Sequence, residues 1–346
     1  MHNKPAAPGM TRFGLVKRRT SHALVILSLV ILLLVGLRGF GPTEPVPVAV
    51  SYDPAQIGQD VSSYLADNEA KLTDIRADAA KEIVWAYPQS KAKTPLAIVY
   101  VHGFSASKAE LRPVPDEVAQ RLNANLFLTR LAGHGRNEVA MAEPDVEAWL
   151  NDLAEAVAIG RRIGERVIII GTSNGGSLTT YGASIPGLLD DVAGLVLISP
   201  NYGVQDWRSF LLTMPFARDL VPTLYGKTYG TAPDSQAAEE AAETYGWTRS
   251  FPTVALLPMA AIAQAAAAVD VNSLTVPALF IYSPQDKVVD PQKIADLASQ
   301  WGGPHQVVEV QNSTDPSQHL LAGDLRSPET TEAVVETIVM WVQSLN

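Results

Sequence analysis

Residues 167–175 read Val-Ile-Ile-Ile-Gly-Thr-Ser-Asn-Gly, an apolar β-type run that ends in Gly-x-Ser-x-Gly. A serine hydroxyl is a poor nucleophile unless the backbone holds it out at a sharp turn beside a base. A strand running through Gly-x-Ser-x-Gly into a helix builds that turn, with Ser173 at its apex. Gly171 and Gly175 leave room where a side chain would meet the neighbouring helix and strand. The five-residue pattern alone recurs by chance. Its weight comes from the strand before it and from the small, helix-compatible Gly175, Ser177, Leu178 and Thr179 after it. The plain alternative is a glycine-rich turn around a buried serine.

The rest of the chain supplies the frame such a turn needs. Strand candidates lie at 82–87, 96–101, 126–131, 167–170, 194–199, 278–282 and 306–311. Helix candidates lie at 114–123, 146–163, 174–184, 291–299 and 329–344, and apolar residues at helical spacing over 56–80 add another. Apolar strands alternating with amphipathic helices predict an α/β fold with a mostly parallel sheet covered on both faces. The rhythm breaks over 201–272, which has no strong strand but holds an aromatic segment at 207–229 and an alanine-rich helix at 254–269. A stretch of that length is too long for a loop and reads as a helical cap inserted after a strand.

Ahead of this domain, taken as 56–346, the chain has a different character. Residues 1–40 carry Lys4, Arg12, Lys17, Arg18, Arg19 and Arg38 and no acid, although the whole chain has a net charge of −10. The strongly acidic remainder argues against a nucleic-acid partner, which selects a basic footprint. Residues 23–37 are uncharged and apolar and follow Lys17-Arg18-Arg19. Extended over 21–40 they reach the length of a membrane-spanning helix, with Arg38 snorkelling to the interface. The pattern predicts a basic cytoplasmic tail (1–20), a transmembrane anchor (21–40), a proline-rich linker (41–55), and a domain on the outer, periplasmic side. A cleaved signal peptide is the rival reading, although no small-x-small site follows the run. The sequence contains no cysteine, so disulfides and thiolate metal sites are excluded.

An activated serine needs a base, an acid to orient the base, and donors for the oxyanion. Of the histidines beyond the apolar run, His102, His134, His305 and His319, the last stands in a loop after a late strand, where it can hang over the sheet edge as the base. Asp286 follows the 278–282 strand and is the candidate acid, with Asp290, Asp315 and Asp206 as competitors. The oxyanion donors are expected to be the backbone N–H groups of Asn174 and of Phe104 in the loop His102-Gly103-Phe104. His102 itself reads as a structural brace of that loop. Trp207, Phe210, Leu211, Leu212, Met214, Phe216, Leu220, Val221 and Leu224 either line an acyl cleft or pack the cap on the body.

In these motifs the chain resembles the α/β-hydrolases, and among them the monoacylglycerol lipase and lysophospholipase-type esterases. The matching pieces are His102-Gly103-Phe104, Gly133-His134-Gly135, Gly171-Thr172-Ser173-Asn174-Gly175, Asp286 before Val288-Val289, and His319, over roughly residues 81–345. Two departures stand out: Arg130-Leu131-Ala132 where relatives commonly have aspartate and arginine before Gly-His-Gly, and Asn174 where many have methionine or glutamine. The resemblance implies hydrolysis of carboxylic esters, acylglycerol-like or lysophospholipid-like, by Ser173, His319 and Asp286 without metal or cofactor. The same residues would serve a peptidase, thioesterase or acyltransferase, and a non-catalytic binding protein on this fold is the remaining alternative.

Overall fold

The computed structural model describes residues 41–230 and 246–345, together with His22, Val25, Ile26, Ser28, Leu29, Gly36 and Gly39. It divides into two compact units, one of Met1–Thr43 with Met214–Phe216, the other of Glu44–Thr213 with Ala217–Asn346. Every element below belongs to the second unit.

Among the described residues seven strands form one sheet in the order β1 (Glu82–Val84), β3 (Asn125–Leu128), β2 (Thr94–Val101), β4 (Gly164–Thr172), β5 (Gly194–Ile198), β8 (Ala278–Tyr282) and β9 (His305–Glu309). Only β1 runs antiparallel. Successive side chains of a strand point to opposite faces, and here both faces are apolar. On β2, Ala97, Val99 and Val101 join one core cluster while Ile98 and Tyr100 join the other; on β4, Val167 and Ile169 alternate likewise with Ile168 and Ile170. Helix α3 (Val146–Ile163) covers the first face through Trp149, Leu150, Leu153 and Val157. Helices α2 (Val114–Arg121) and α8 (Pro328–Ser344) cover the second through Val114, Val118, Val334, Val335 and Ile338. Each such aliphatic side chain contributes about 1.5–3 kcal/mol by leaving water. The boundaries of α3 follow local chemistry. Asp145 caps its first turn by accepting the Ala148 N–H (2.9 Å), and Arg161 and Arg162 sit in its last turn, where the helix dipole favours cations.

All seven expected strands are present, within a few residues of the expected limits. The expected helix over 56–80 is shorter. A 3-10 turn at Pro54–Ile57 is followed by α1 (Val61–Glu69), started by the Asp60 cap. Beyond it, tertiary bonds replace helical ones: the Arg76 N–H donates to Gly135 O (2.8 Å), and Glu69 binds Arg130 through both carboxylate oxygens (2.7 and 3.1 Å). Between β5 and β8 come a 3-10 turn at Trp207–Thr213, α5 (Ala217–Tyr225), the short antiparallel pair β6 (Thr228–Gly230) and β7 (Ser250–Pro252), and α6 (Leu256–Ala267). The two three-residue strands were not expected, because three residues carry no periodic signal. Val221 is buried with Leu257, Leu212 and Val254, whereas Trp207, Phe210, Leu220 and Leu224 are exposed. Most of the apolar run at 23–37, and with it the expected anchor, lies outside the described residues. No helix among those described is long and apolar enough to cross a membrane.

Candidate active site

Parallel neighbours bring the C-terminal ends of β2, β4, β5 and β8 to one edge of the sheet, where the functional loops emerge. The turn at Ser173 is the sharpest. Ser173 takes φ 50° and ψ −114°, a region that ordinary residues avoid at a cost of about 1–3 kcal/mol. The surroundings over-determine it. Its N–H donates to Ile198 O on β5 (2.9 Å), and its carbonyl accepts from Ser177 (3.1 Å) and Asn201 (3.0 Å). A Cβ on Gly171 would come within 2.8 Å of Gly175 O, and one on Gly175 would collide with the Val101 carbonyl. The Gly-x-Ser-x-Gly spacing is therefore a packing requirement, since helix α4 (Asn174–Ala183) leaves this turn directly against β2 and β4.

His319 lies in the loop between β9 and α8 with its Nδ1 2.7 Å from Asp286 Oδ2. The Asp286 side chain is fully buried and that of His319 is 11% exposed. The other Asp286 oxygen accepts the N–H groups of Val288 (2.8 Å) and Val289 (2.9 Å), so the carboxylate is aimed by its own turn. The three competing aspartates have other partners. Asp290 caps α7 (Pro291–Ser299) and Asp206 pairs with Arg208 at the surface. Asp315 holds the backbone rather than the ring of His319: its Oδ2 accepts the N–H of His319 (3.1 Å) and of Leu320 (3.0 Å). Ser199, one residue past Ile198, donates its hydroxyl to the His319 carbonyl (2.8 Å), which ties the histidine loop to the strand end that holds Ser173.

The loop after β2 is braced from below. His102 is fully buried. Its Nε2 accepts the Leu131 N–H (3.0 Å), which leaves Nδ1 as the donor to Gly103 O (2.9 Å), a tautomer assigned from its partners. The structural role expected for His102 is what the geometry gives. The Phe104 ring packs edge-on against His134, Trp149 and Phe251. Burial holds His102 well below the ordinary histidine range and lowers His134 to about 4. Among the described residues neither the Phe104 nor the Asn174 N–H finds an acceptor. The Asn174 side chain is buried with both polar atoms unpaired among those residues. His305 instead stands on β9, bonded to Gly303 O (3.0 Å).

Residues 92–318 match the Hydrolase_4 family, described as serine aminopeptidase, S33. The chain belongs to this family. It is also 27% identical over 245 residues, 70% of its length and 90% of the relative's, to the thermostable monoacylglycerol lipase of Bacillus sp. (strain H-257). Among solved structures it shares the fold of a Paleococcus ferrophilus monoacylglycerol lipase (TM-score 0.56, 15% identity, 77% of this chain and 98% of that one). A soluble variant of the Saccharomyces cerevisiae monoglyceride lipase is similar to it to the same degree (TM-score 0.56, 12% identity, 77% and 91%). This Hydrolase_4 member is thus an α/β hydrolase of the esterase and lipase-like kind.

Sequence reasoning missed Ser199, Tyr100 and Glu110. Ser199 carried no signal beyond its place after a strand. Ser107-Lys108-Ala109-Glu110 has the form of a capping box, in which the glutamate would turn back to the serine N–H. In the structure Ser107 does cap the 3-10 turn Lys108–Glu110, but the Glu110 carboxyl goes to Gly103 and Tyr100.

Proposed function

We propose that the chain is a serine hydrolase of carboxylic esters, with Ser173 as nucleophile, His319 as base and Asp286 as the orienting acid. The observation that carries this reading is the buried Asp286–His319 pair at 2.7 Å, tied through Ser199 and Ile198 to a serine at positive φ. His319 Nε2 takes the Ser173 proton as Oγ attacks the ester carbonyl. The oxyanion that forms is met by the N–H groups of Phe104 and Asn174. Collapse breaks the ester C–O bond, and the imidazolium returns the proton to the departing alkoxide. Water, deprotonated by His319, then attacks the acyl-enzyme and releases the acid and free Ser173. Asp286 holds the imidazole tautomer and stabilises the imidazolium throughout. No step calls on a metal or cofactor.

The substrate class is an acyl ester of the monoacylglycerol or lysophospholipid type, supported by the 27% identity to a monoacylglycerol lipase. An anchor through residues 21–40, with the basic tail in the cytoplasm and the hydrolase domain outside, would keep the enzyme beside such lipids. The family description favours a second reading, cleavage of amides at an amino terminus. A panel of p-nitrophenyl esters, monoacylglycerols and aminoacyl amides separates the two. Ester turnover that is lost in Ser173→Ala supports the first, and turnover confined to amides replaces it with the second.

A further inference from the structure

Glu110 is a carboxyl beside the nucleophile that the mechanism leaves unused. It is 2% exposed, on the 3-10 turn that follows the loop bearing Phe104. Its Oε1 accepts the Gly103 N–H at 2.5 Å and the Tyr100 hydroxyl at 2.8 Å. The Tyr100 oxygen is in turn 3.5 Å from Oγ1 of Thr172, the residue directly before Ser173. The carboxyl oxygens lie 3.0 and 3.3 Å from the point where a Cβ on Gly103 would stand, and Ser173 Cβ lies 3.3 Å from the same point. Oε1 therefore holds the segment that carries the Phe104 amide directly, and that segment meets the one before Ser173 through the Tyr100 hydroxyl and by packing of Gly103 on the Ser173 Cβ. From this geometry we infer that Glu110 is a positioning residue for the oxyanion donors, fixing the His102–Gly103 peptide, one unit ahead of the Phe104 amide, against the Ser173 turn.

The turn that carries Glu110 is itself held on both sides. Lys108 reaches the Ala80 carbonyl (2.9 Å) and Glu82 (2.6 Å), and Leu111 is fully buried in the core behind the sheet. The carboxyl thus reaches Gly103 from a rigid base, which donor placement within a fraction of an ångström requires. The titratable groups facing it are Tyr100 on β2 and His319 across the site. Burial raises the carboxyl to about 7, and both groups bonded to it, the Gly103 N–H and the Tyr100 hydroxyl, are donors. What the arrangement needs is an acceptor at the right reach rather than a charge.

That distinction gives the test, which rests on the ester-hydrolase reading above. Glu110→Gln keeps the reach and an acceptor oxygen but removes the ionisation. Glu110→Asp keeps the charge and withdraws it by one methylene. Both are measured in the full chain for kcat and KM on a p-nitrophenyl ester, for inhibition by a trifluoromethyl ketone whose adduct carries the oxyanion, and for unfolding midpoint. We expect Glu110→Gln to hold kcat within about threefold of wild type. We expect Glu110→Asp to lose on the order of 10–100-fold in kcat with KM nearly unchanged, and ketone affinity to fall in parallel, because an oxyanion donor is worth on the order of 10²–10³. Tyr100→Phe, which keeps the ring and removes one bond to Oε1, should fall between them. Full kcat in Glu110→Asp, or equal losses in both variants that appear in KM or stability alone, overturns the inference while leaving the hydrolase intact. A folded wild type that turns over no ester overturns the underlying reading and the inference with it.

Discussion

At the scale of single residues, the site depends on which partner each carboxylate already has. Asp286 is fully buried, takes two backbone N–H groups on one oxygen and the His319 ring on the other, and so has one orientation. Asp286→Asn keeps the shape but presents an amide where the ring needs an acceptor, which favours the wrong imidazole tautomer. It is expected to lower kcat on the order of 10³–10⁴-fold with little change in unfolding midpoint, read by steady-state kinetics beside thermal unfolding. Asp315→Asn is the contrasting variant. It still offers an oxygen to the His319 and Leu320 N–H groups, so a loss within about tenfold is expected. The sequence favours Asp286 over Asp315, although both stand in polar loops past strand ends; which of them touches the His319 ring is a matter of loop geometry that spacing does not encode. Glu110 was less legible still. Its form as a capping residue is ordinary, and only the close approach of the 3-10 turn to Gly103 gives it another task.

At the scale of elements, the strands were legible because alternation on a doubly covered sheet leaves near-continuous apolar runs, as in 167–170 and 194–198. The helix over 56–80 was overestimated because Leu72 and Ile75 keep helical spacing while Glu69, Asp74 and Arg76 are drawn into ion pairs and backbone bonds with the 130–137 loop. Propensity yields there to tertiary partners. That loop also carries a pH dependence. His134 and His102 are buried and neutral, with His134 lowered to about 4 from an unfolded value near 6.5. Below about 6.5 the unfolded chain binds a proton that the folded one refuses, so stability is complete above that pH and declines as pH falls towards 4. For His134 alone the loss amounts to about 3 kcal/mol. Denaturant midpoints measured from pH 8 to pH 4 should fall along this limb, and His134→Gln should flatten it while lowering the midpoint at pH 8. A wild-type midpoint that stays level from pH 7 to pH 4.5 contradicts the buried-histidine picture.

For the whole molecule, the order of strands across the sheet decides which loops can meet at its edge. The loop after β8 meets the loop after β9 at Asp286 and His319, and the end of β5, which accepts the Ser173 N–H, bonds the same loop through Ser199. Strand ends suggested Ser173, Asp286 and His319 as candidates although they span more than a hundred residues, and the structure brings Asp286 and His319 together. The aromatic segment at 207–224 was not legible in this way. Its residues divide between Val221 and Leu212, packed on Leu257 and Val254, and Trp207 and Phe210 facing outward, a division that spacing within an irregular insertion does not encode. The measurement that bears most directly on the whole reading is fluorophosphonate labelling of the protein with peptide mapping, beside Ser173→Ala. An activated serine predicts a single adduct on Ser173 that disappears in the variant. A well-folded wild type that takes no label, or takes it on another serine, contradicts it.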